Sequence, residues 1–111
     1  MARDKGKRRG SPPFVMVDKL MLRSTAWLDL TNAARVAWLH IAAEQNGRNH
    51  DALKMPYSQA AKLMTRNTFS KALQDLKAHG FITVMRQGGL LNNPTEFALD
   101  QSWKSWTPDK K

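Results

Sequence analysis

The chain has 111 residues, 41% hydrophobic and 24% charged, which sets the scale of one compact domain and is too little for two plus a linker. It has no cysteine, which excludes a disulfide scaffold, a thiol nucleophile and a cysteine zinc site. Its longest apolar runs, residues 14–17 and 36–39, are far shorter than the roughly 20 residues that cross a bilayer. Eighteen Lys and Arg against nine Asp and Glu give a net charge of +9, which favours a polyanionic partner such as nucleic acid over a membrane, and the lack of cysteine makes the cytoplasm the default.

Residues 1–13 read as a disordered arm. Lys5, Lys7, Arg8 and Arg9 lie among Gly6, Gly10, Ser11, Pro12 and Pro13; like charges repel, and Gly and Pro discourage regular structure. The apolar residues 14–17 are expected to be a short strand or an anchor for the arm. Residues 18–24 read as a helical turn with Leu20, Met21 and Leu22 partly buried. Thr31 or Asn32 supplies an N-cap oxygen for a helix over residues 33–45. Ala34, Trp38, Ile41 and Gln45 share one face of that helix, and Val36, Leu39 and Ala43 an adjacent one. It is therefore expected to be central and buried over most of its circumference.

Asn46-Gly47 ends this helix, and residues 48–52 form a polar loop. Leu53, Met55 and Tyr57 alternate with Lys54 and Pro56, the pattern of a very short edge strand, because Pro56 has no N–H for a ladder. Ser58 is expected to cap a second helix through about Met64. Residues 65–67 make a turn, and a third helix runs to His79. Phe69, Ala72, Leu73 and Leu76 give it one buried stripe at i, i+3, i+4, i+7, and Gly80 ends it at positive φ.

Residues 81–86 are β-rich. Gln87-Gly88-Gly89 and Asn92-Asn93-Pro94 supply turn residues, and residues 95–99 return as the second strand of a hairpin with a loop of about seven residues. Leu99, Trp103 and Trp106 recur at helical spacing, which reads as a short C-terminal helix capped by Asp100. Residues 107–111 read as a frayed tail, so the domain occupies residues 14–106. Trp38 is expected in the core. Trp103 and Trp106 pack back onto the first helices or, with residues 20–30, pair two copies of the chain.

The order is thus helix, helix, turn, helix, hairpin. The runs Ser58-Gln59-Ala60-Ala61-Lys62-Leu63, Thr68-Phe69-Ser70-Lys71-Ala72-Leu73 and Leu76-Lys77-Ala78-His79-Gly80-Phe81-Ile82 resemble the winged helix-turn-helix of bacterial DNA-binding proteins. The nearest flavour is the small regulators of plasmids, phages and integrated elements and the N-terminal domains of replication initiators. The resemblance covers residues 31–100, and the helix–Gly–strand junction is its most specific part. It implies an α+β, mainly α fold: a three-helix core, a C-terminal β-hairpin wing and a third helix that enters the major groove. Met64-Thr65-Arg66-Asn67 is shorter than the usual connection in that family and lacks its Gly.

The residues fit that role without the name. With Phe69, Leu73 and Leu76 inward, Asn67, Ser70, Lys71 and Gln74 point outward. Asn and Gln can bond adenine bidentately, and Lys or Arg can reach guanine O6 and N7. Arg66 can reach a base or a phosphate. Ser58, Thr65 and Thr68 can donate to phosphate, with Gln59 and Lys62 beside them on the second helix. Arg86, Gln87, Asn92 and Asn93 are the wing candidates. Lys5, Lys7, Arg8 and Arg9 are the arm candidates, suited to the backbone or a minor groove.

Charge follows the same division. Residues 1–11 carry five bases and one acid, and residues 54–86 carry six bases and one acid, while the two intervening and following stretches are each neutral. Such blocks favour double-stranded DNA over a solvated surface. RNA binding lacks the exposed aromatic platforms it needs. His40, His50 and His79 are scattered, no phosphate loop or dinucleotide glycine pattern is present, and no metal or other cofactor is implied. His40 reads as structural, and His79 as a cation suited to a helix C-terminus. The expected function is non-catalytic DNA binding by a transcriptional regulator. The rivals are replication or maintenance of a mobile element, and an adaptor that binds protein through the same helix.

Overall fold

A computed structural model describes residues 13–46, 49, 52–88 and 95–108. The basic arm, with Lys5, Lys7, Arg8 and Arg9, and the loop residues Asn92 and Asn93 lie outside the described residues. The fold is α+β. Its elements in chain order are α1 (Lys19–Leu22), α2 (Thr25–Leu28), α3 (Asn32–Ala42), β1 (Leu53–Lys54), α4 (Tyr57–Ala60), α5 (Arg66–Ala78), β2 (Ile82–Arg86), β3 (Glu96–Leu99) and a 3-10 helix (Ser102–Ser105).

Helix starts follow from short oxygen-bearing side chains. Asp18, Ser24, Thr31 and Thr65 precede α1, α2, α3 and α5, and each accepts a first-turn amide, from Leu20, Trp27, Ala34 and Thr68 respectively. Each such bond satisfies an amide that has no partner inside its own helix. Gly80, at φ 83°, stops α5 as expected.

α3 and α5 pack against each other, and the sheet touches both, β1 against α3 and β2 against α5. All strands are antiparallel in the order β1-β3-β2. Phe97 sits at the centre, opposite Leu53 on one side and Val84 on the other. The β2–β3 register slips between Val84 and Arg86, which leaves Met85 as the extra residue of a bulge. Phe69, Leu76, Phe81, Phe97, Ile41 and Leu53 are fully buried. Trp27 joins two parts of the core, edge-on to Trp38 and to Phe81 at 5.7 Å each.

Several elements differ from what the sequence predicts. Of the two alternatives for residues 14–17, no strand forms; Val15 and Val17 pack on the core, as an anchor would, whereas Phe14 and Met16 are exposed. The expected helical turn within residues 18–24 is α1, but of Leu20, Met21 and Leu22 only Met21 is buried, because a single turn has one inward side. Leu20 is 72% exposed.

α3 is not buried over most of its circumference. Ala34, Ala37, Trp38, Ile41 and Ala42 face the core, while Val36 and Leu39 are exposed; the helix ends at Ala42, short of the expected residue 45, so Ala43 and Gln45 lie beyond it and are exposed. Apolar residues mark a face that can be covered, not a neighbour that covers it.

The second helix begins at Tyr57 rather than after Ser58. The carbonyl of Pro56 accepts from the amides of Gln59 and Ala60, a start suited to the fixed φ of proline. It ends at Ala60, and residues 61–64 are turns closed by Leu63 and Met64 donating to the Ala60 carbonyl. The short connection before α5 is thus lengthened at the expense of α4. Arg66 and Asn67, expected in the turn, are the first residues of α5.

The hairpin connection covers residues 87–95, longer than expected, because Arg86 opposite Glu96 is the last pair. The C-terminal helix is a single 3-10 turn, in which Trp103 stacks on Phe81 at 6.0 Å and 7°. Trp103 is buried within one copy of the chain, which removes it as a surface for pairing two copies; Trp106 is half-buried.

Candidate nucleic-acid interface

α5 is built to bury one stripe and present the other. Phe69, Ala72 and Leu76 are buried and Leu73 packs against the core. With roughly 100° between successive residues, the crest opposite that stripe carries Asn67, Lys71, Gln74 and Ala78. Arg66, Ser70 and Lys77 flank it on one side, and Thr68 and Asp75 on the other. Asn67, Ser70, Lys71 and Gln74 are all exposed, as expected from the sequence, together with Arg66, Thr68 and Lys77.

Thr65 is exposed but its hydroxyl is engaged. It accepts the Thr68 amide at 3.2 Å and donates to the Thr68 hydroxyl at 2.9 Å. Thr68 keeps its own hydroxyl proton for an outside acceptor.

The only acid of α5 is turned away from the crest. Asp75 Oδ2 accepts the backbone amide of Thr31 at 2.9 Å, which ties α5 to the start of α3. Its Oδ1 lies 3.2 Å from His79 Nδ1. The exposed crest of α5 is left with amides, a hydroxyl and cations. Thr31 and Ala33 face Thr68, Lys71, Gln74 and Ala78 across an open groove of about 640 Å³, which Asp75 also borders.

The α4 candidates lie on a different groove. Ser58, Gln59 and Lys62 line it with His40 and Leu63, over about 450 Å³. Ser58 and Lys62 are exposed. Gln59 is half-buried, and its Nε2 donates to the Glu44 carboxylate at 3.3 Å. His40, read as structural, is exposed at this groove.

In the hairpin, Arg86 is exposed at its guanidinium and lies 4.0 Å from the Glu96 carboxylate, an exposed pair of small energetic weight. Gln87 reaches Thr95 only at 3.5 Å, while the Gly88 amide donates to the Thr95 hydroxyl at 2.9 Å. The hairpin base is therefore closed by Thr95, which the sequence did not single out.

The largest feature missed by the sequence lies at the far end of α5. His79 is 7% exposed. Its Nε2 lies 2.9 Å from Asp29 Oδ2, its Nδ1 lies 2.8 Å from the Asp75 carbonyl oxygen, and its ring packs on Trp106 at 4.5 Å. Burial pushes its pKa down, but the bonds to Asp29 and to the Asp75 carbonyl, with the charges of both carboxylates, outweigh burial and hold it above the ordinary imidazole value. The spacing of Asp75 and His79 was legible as i, i+4; Asp29 was not.

Among the described residues no group of three His, Cys, Asp or Glu is placed to hold a metal, and no helix is long and apolar enough to cross a membrane. No protein-family model, no curated protein and no solved structure matches the chain.

Proposed function

We propose that the chain is a winged helix-turn-helix protein that binds double-stranded DNA without catalysing a reaction. In this reading α3, α4 and α5 are the three-helix core, α5 enters the major groove, and β2–β3 is the wing. The observation that carries it is the exposed face of α5. Asn67, Ser70, Lys71 and Gln74 project together, Arg66 and Lys77 flank them, and Asp75 is bonded to Thr31 and His79 instead of facing out.

Those side chains match base edges, and the surrounding cations match phosphate. Lys54, Lys62 and Arg86 are further exposed cations, and the basic arm adds more in the sequence. The role that fits is a transcriptional regulator that occupies an operator. Footprinting on promoter DNA would support it; protection of tandem repeats without a promoter would instead give a replication or maintenance factor.

The direct test changes Arg66, Asn67 and Lys71 together to Ala. The three are exposed, and circular dichroism of the variant checks that the fold is retained. A good base contact is worth about 1–3 kcal/mol, so duplex affinity is expected to fall at least roughly tenfold. Unaltered duplex affinity in a folded triple variant supports the adaptor reading instead.

Pairing of two copies is a second element of the proposal. Leu20 and Leu28, at 72% and 67% exposed, stand out on α1 and α2 with Leu22, whereas Trp106 is half-buried against His79. Isologous contact there would present two α5 helices to successive half-sites. Sedimentation equilibrium checks it: a dimer that Leu20→Ser with Leu28→Ser dissociates is expected, and a wild-type monomer at high concentration contradicts it.

A further inference from the structure

We propose that His79 is a proton-operated clasp that sets the DNA affinity of α5, an inference that rests on the DNA-binding reading above. Both ring nitrogens face oxygen: Nε2 at 2.9 Å from Asp29 Oδ2, and Nδ1 at 2.8 Å from the Asp75 carbonyl oxygen and 3.2 Å from Asp75 Oδ1. An imidazolium has two N–H donors and meets both sides. A neutral ring has one, so one nitrogen lone pair then faces an oxygen in a partly buried site.

The clasp joins three parts of the fold. Asp29 is the C-cap of α2, Asp75 belongs to α5, and Trp106 follows the 3-10 helix. Other charges surround it. Lys77 and Asp100 line the groove beside His79 with Ser102, Ser105 and Trp106. Asp100 is bonded to Thr83, Gln101 and Ser102. On α3, Arg35 holds the carbonyls of Trp27 and Leu28 next to Asp29. Asp29 and Asp75 are the acceptors that His79 itself engages.

Asp75 connects the clasp to the interface. It is the only acid on α5, and the same carboxylate that meets His79 accepts the Thr31 amide and so fixes α3 against α5. Protonated, His79 neutralises Asp75 and ties the end of α5 to α2. Deprotonated, it leaves a carboxylate without its cation on the helix that faces a polyanion, and it loosens one of the two ties. Duplex affinity is therefore higher with the proton on.

The experiment is duplex affinity by fluorescence anisotropy from about pH 6 to about pH 8.5, across and above the ordinary imidazole range. Wild type is compared with His79→Gln, which does not titrate. Wild-type affinity is expected to fall about fivefold more than that of the variant, the lower end of couplings between sites. The His79 C2–H resonance is expected to titrate at the same midpoint. Asp29→Asn keeps an acceptor and loses the charge; it moves both midpoints to lower pH, and it decides the matter if His79→Gln does not fold. Parallel pH profiles in wild type and the folded variants, with duplex binding intact, overturn the clasp alone. Absence of duplex binding at every pH overturns the DNA reading and the clasp together.

Discussion

Nε2 of His79 lies 2.9 Å from Oδ2 of Asp29, fifty positions earlier in the chain. This contact fastens the end of α5 to the end of α2, and it predicts the sign of a pH dependence of stability. The His79 pKa is raised in the folded protein, so its contribution is fully present below the ordinary imidazole value and is lost as pH rises through the raised one. Urea midpoints measured at a series of pH values are expected to fall over that window in wild type, relative to His79→Gln. Parallel midpoints in the two proteins contradict the assignment.

Asp100 carries the opposite sign. Burial pushes its carboxyl up, but donation from Ser102, Thr83 and Gln101 outweighs this and holds it below the ordinary carboxylate range. Its contribution is present above the ordinary value and lost as pH falls through the depressed one. Asp100→Asn is expected to lose about 1 kcal/mol, the scale of a helix-start cap, and to flatten the acid side of the stability profile. An acid limb unchanged from wild type sinks this role.

Gly80 is held for two reasons at once. Its φ is 83°, and a Cβ there would meet the Ser102 carbonyl carbon and the Trp103 amide nitrogen at 2.7 Å each. The Trp103 amide also donates to the Gly80 carbonyl, so backbone must move to make room. Gly80→Ala is expected to lose more than the roughly 1–2 kcal/mol of a left-handed residue alone. Thermal unfolding checks this; a midpoint equal to wild type would show that the 3-10 turn shifts freely.

Much of this fold was legible because it rests on local chemistry. Thr31 and Gly80 act at the positions their side chains and conformational range dictate, and Phe69, Ala72 and Leu76 form the stripe that their spacing gives. What was not legible depends on neighbours. The spacing of Val36 and Leu39 resembles a second core face, yet no described element covers it. Pro56 moved the start of α4, and the 3-10 turn replaced a C-terminal helix because Trp103 is drawn onto Phe81. At the candidate interface, exposure of Asn67, Ser70, Lys71 and Gln74 followed from the inward stripe. The engagement of Gln59 with Glu44, and of His79 with Asp29, required elements far apart in sequence to meet.

Salt dependence separates the roles on α5. Lys71 stands on the crest and Lys77 on its flank, both exposed. A cation that neutralises one phosphate adds about 0.9 to the slope of log affinity against log salt. Lys77→Ala is expected to reduce the slope by about that amount and to weaken all duplexes alike. Gln74→Ala is expected to leave the slope unchanged and to lower discrimination between sequences by about 1–3 kcal/mol at one position. Titrations at several salt concentrations on matched and scrambled duplexes read both quantities, and a sequence-dependent effect of Lys77→Ala would reverse the assignment.

The measurement that bears most directly on the central claim is fluorescence anisotropy of the wild-type chain with two duplexes at low and near-physiological salt. One carries the DNA immediately upstream of its own gene, and the other is a scramble of equal composition. DNA reading by α5 predicts tighter binding to the upstream duplex that persists at physiological salt, with a slope of about −5 for roughly six phosphate contacts. Failure to bind either duplex at low salt would contradict it and would leave the exposed face of α5 as a surface for a protein partner.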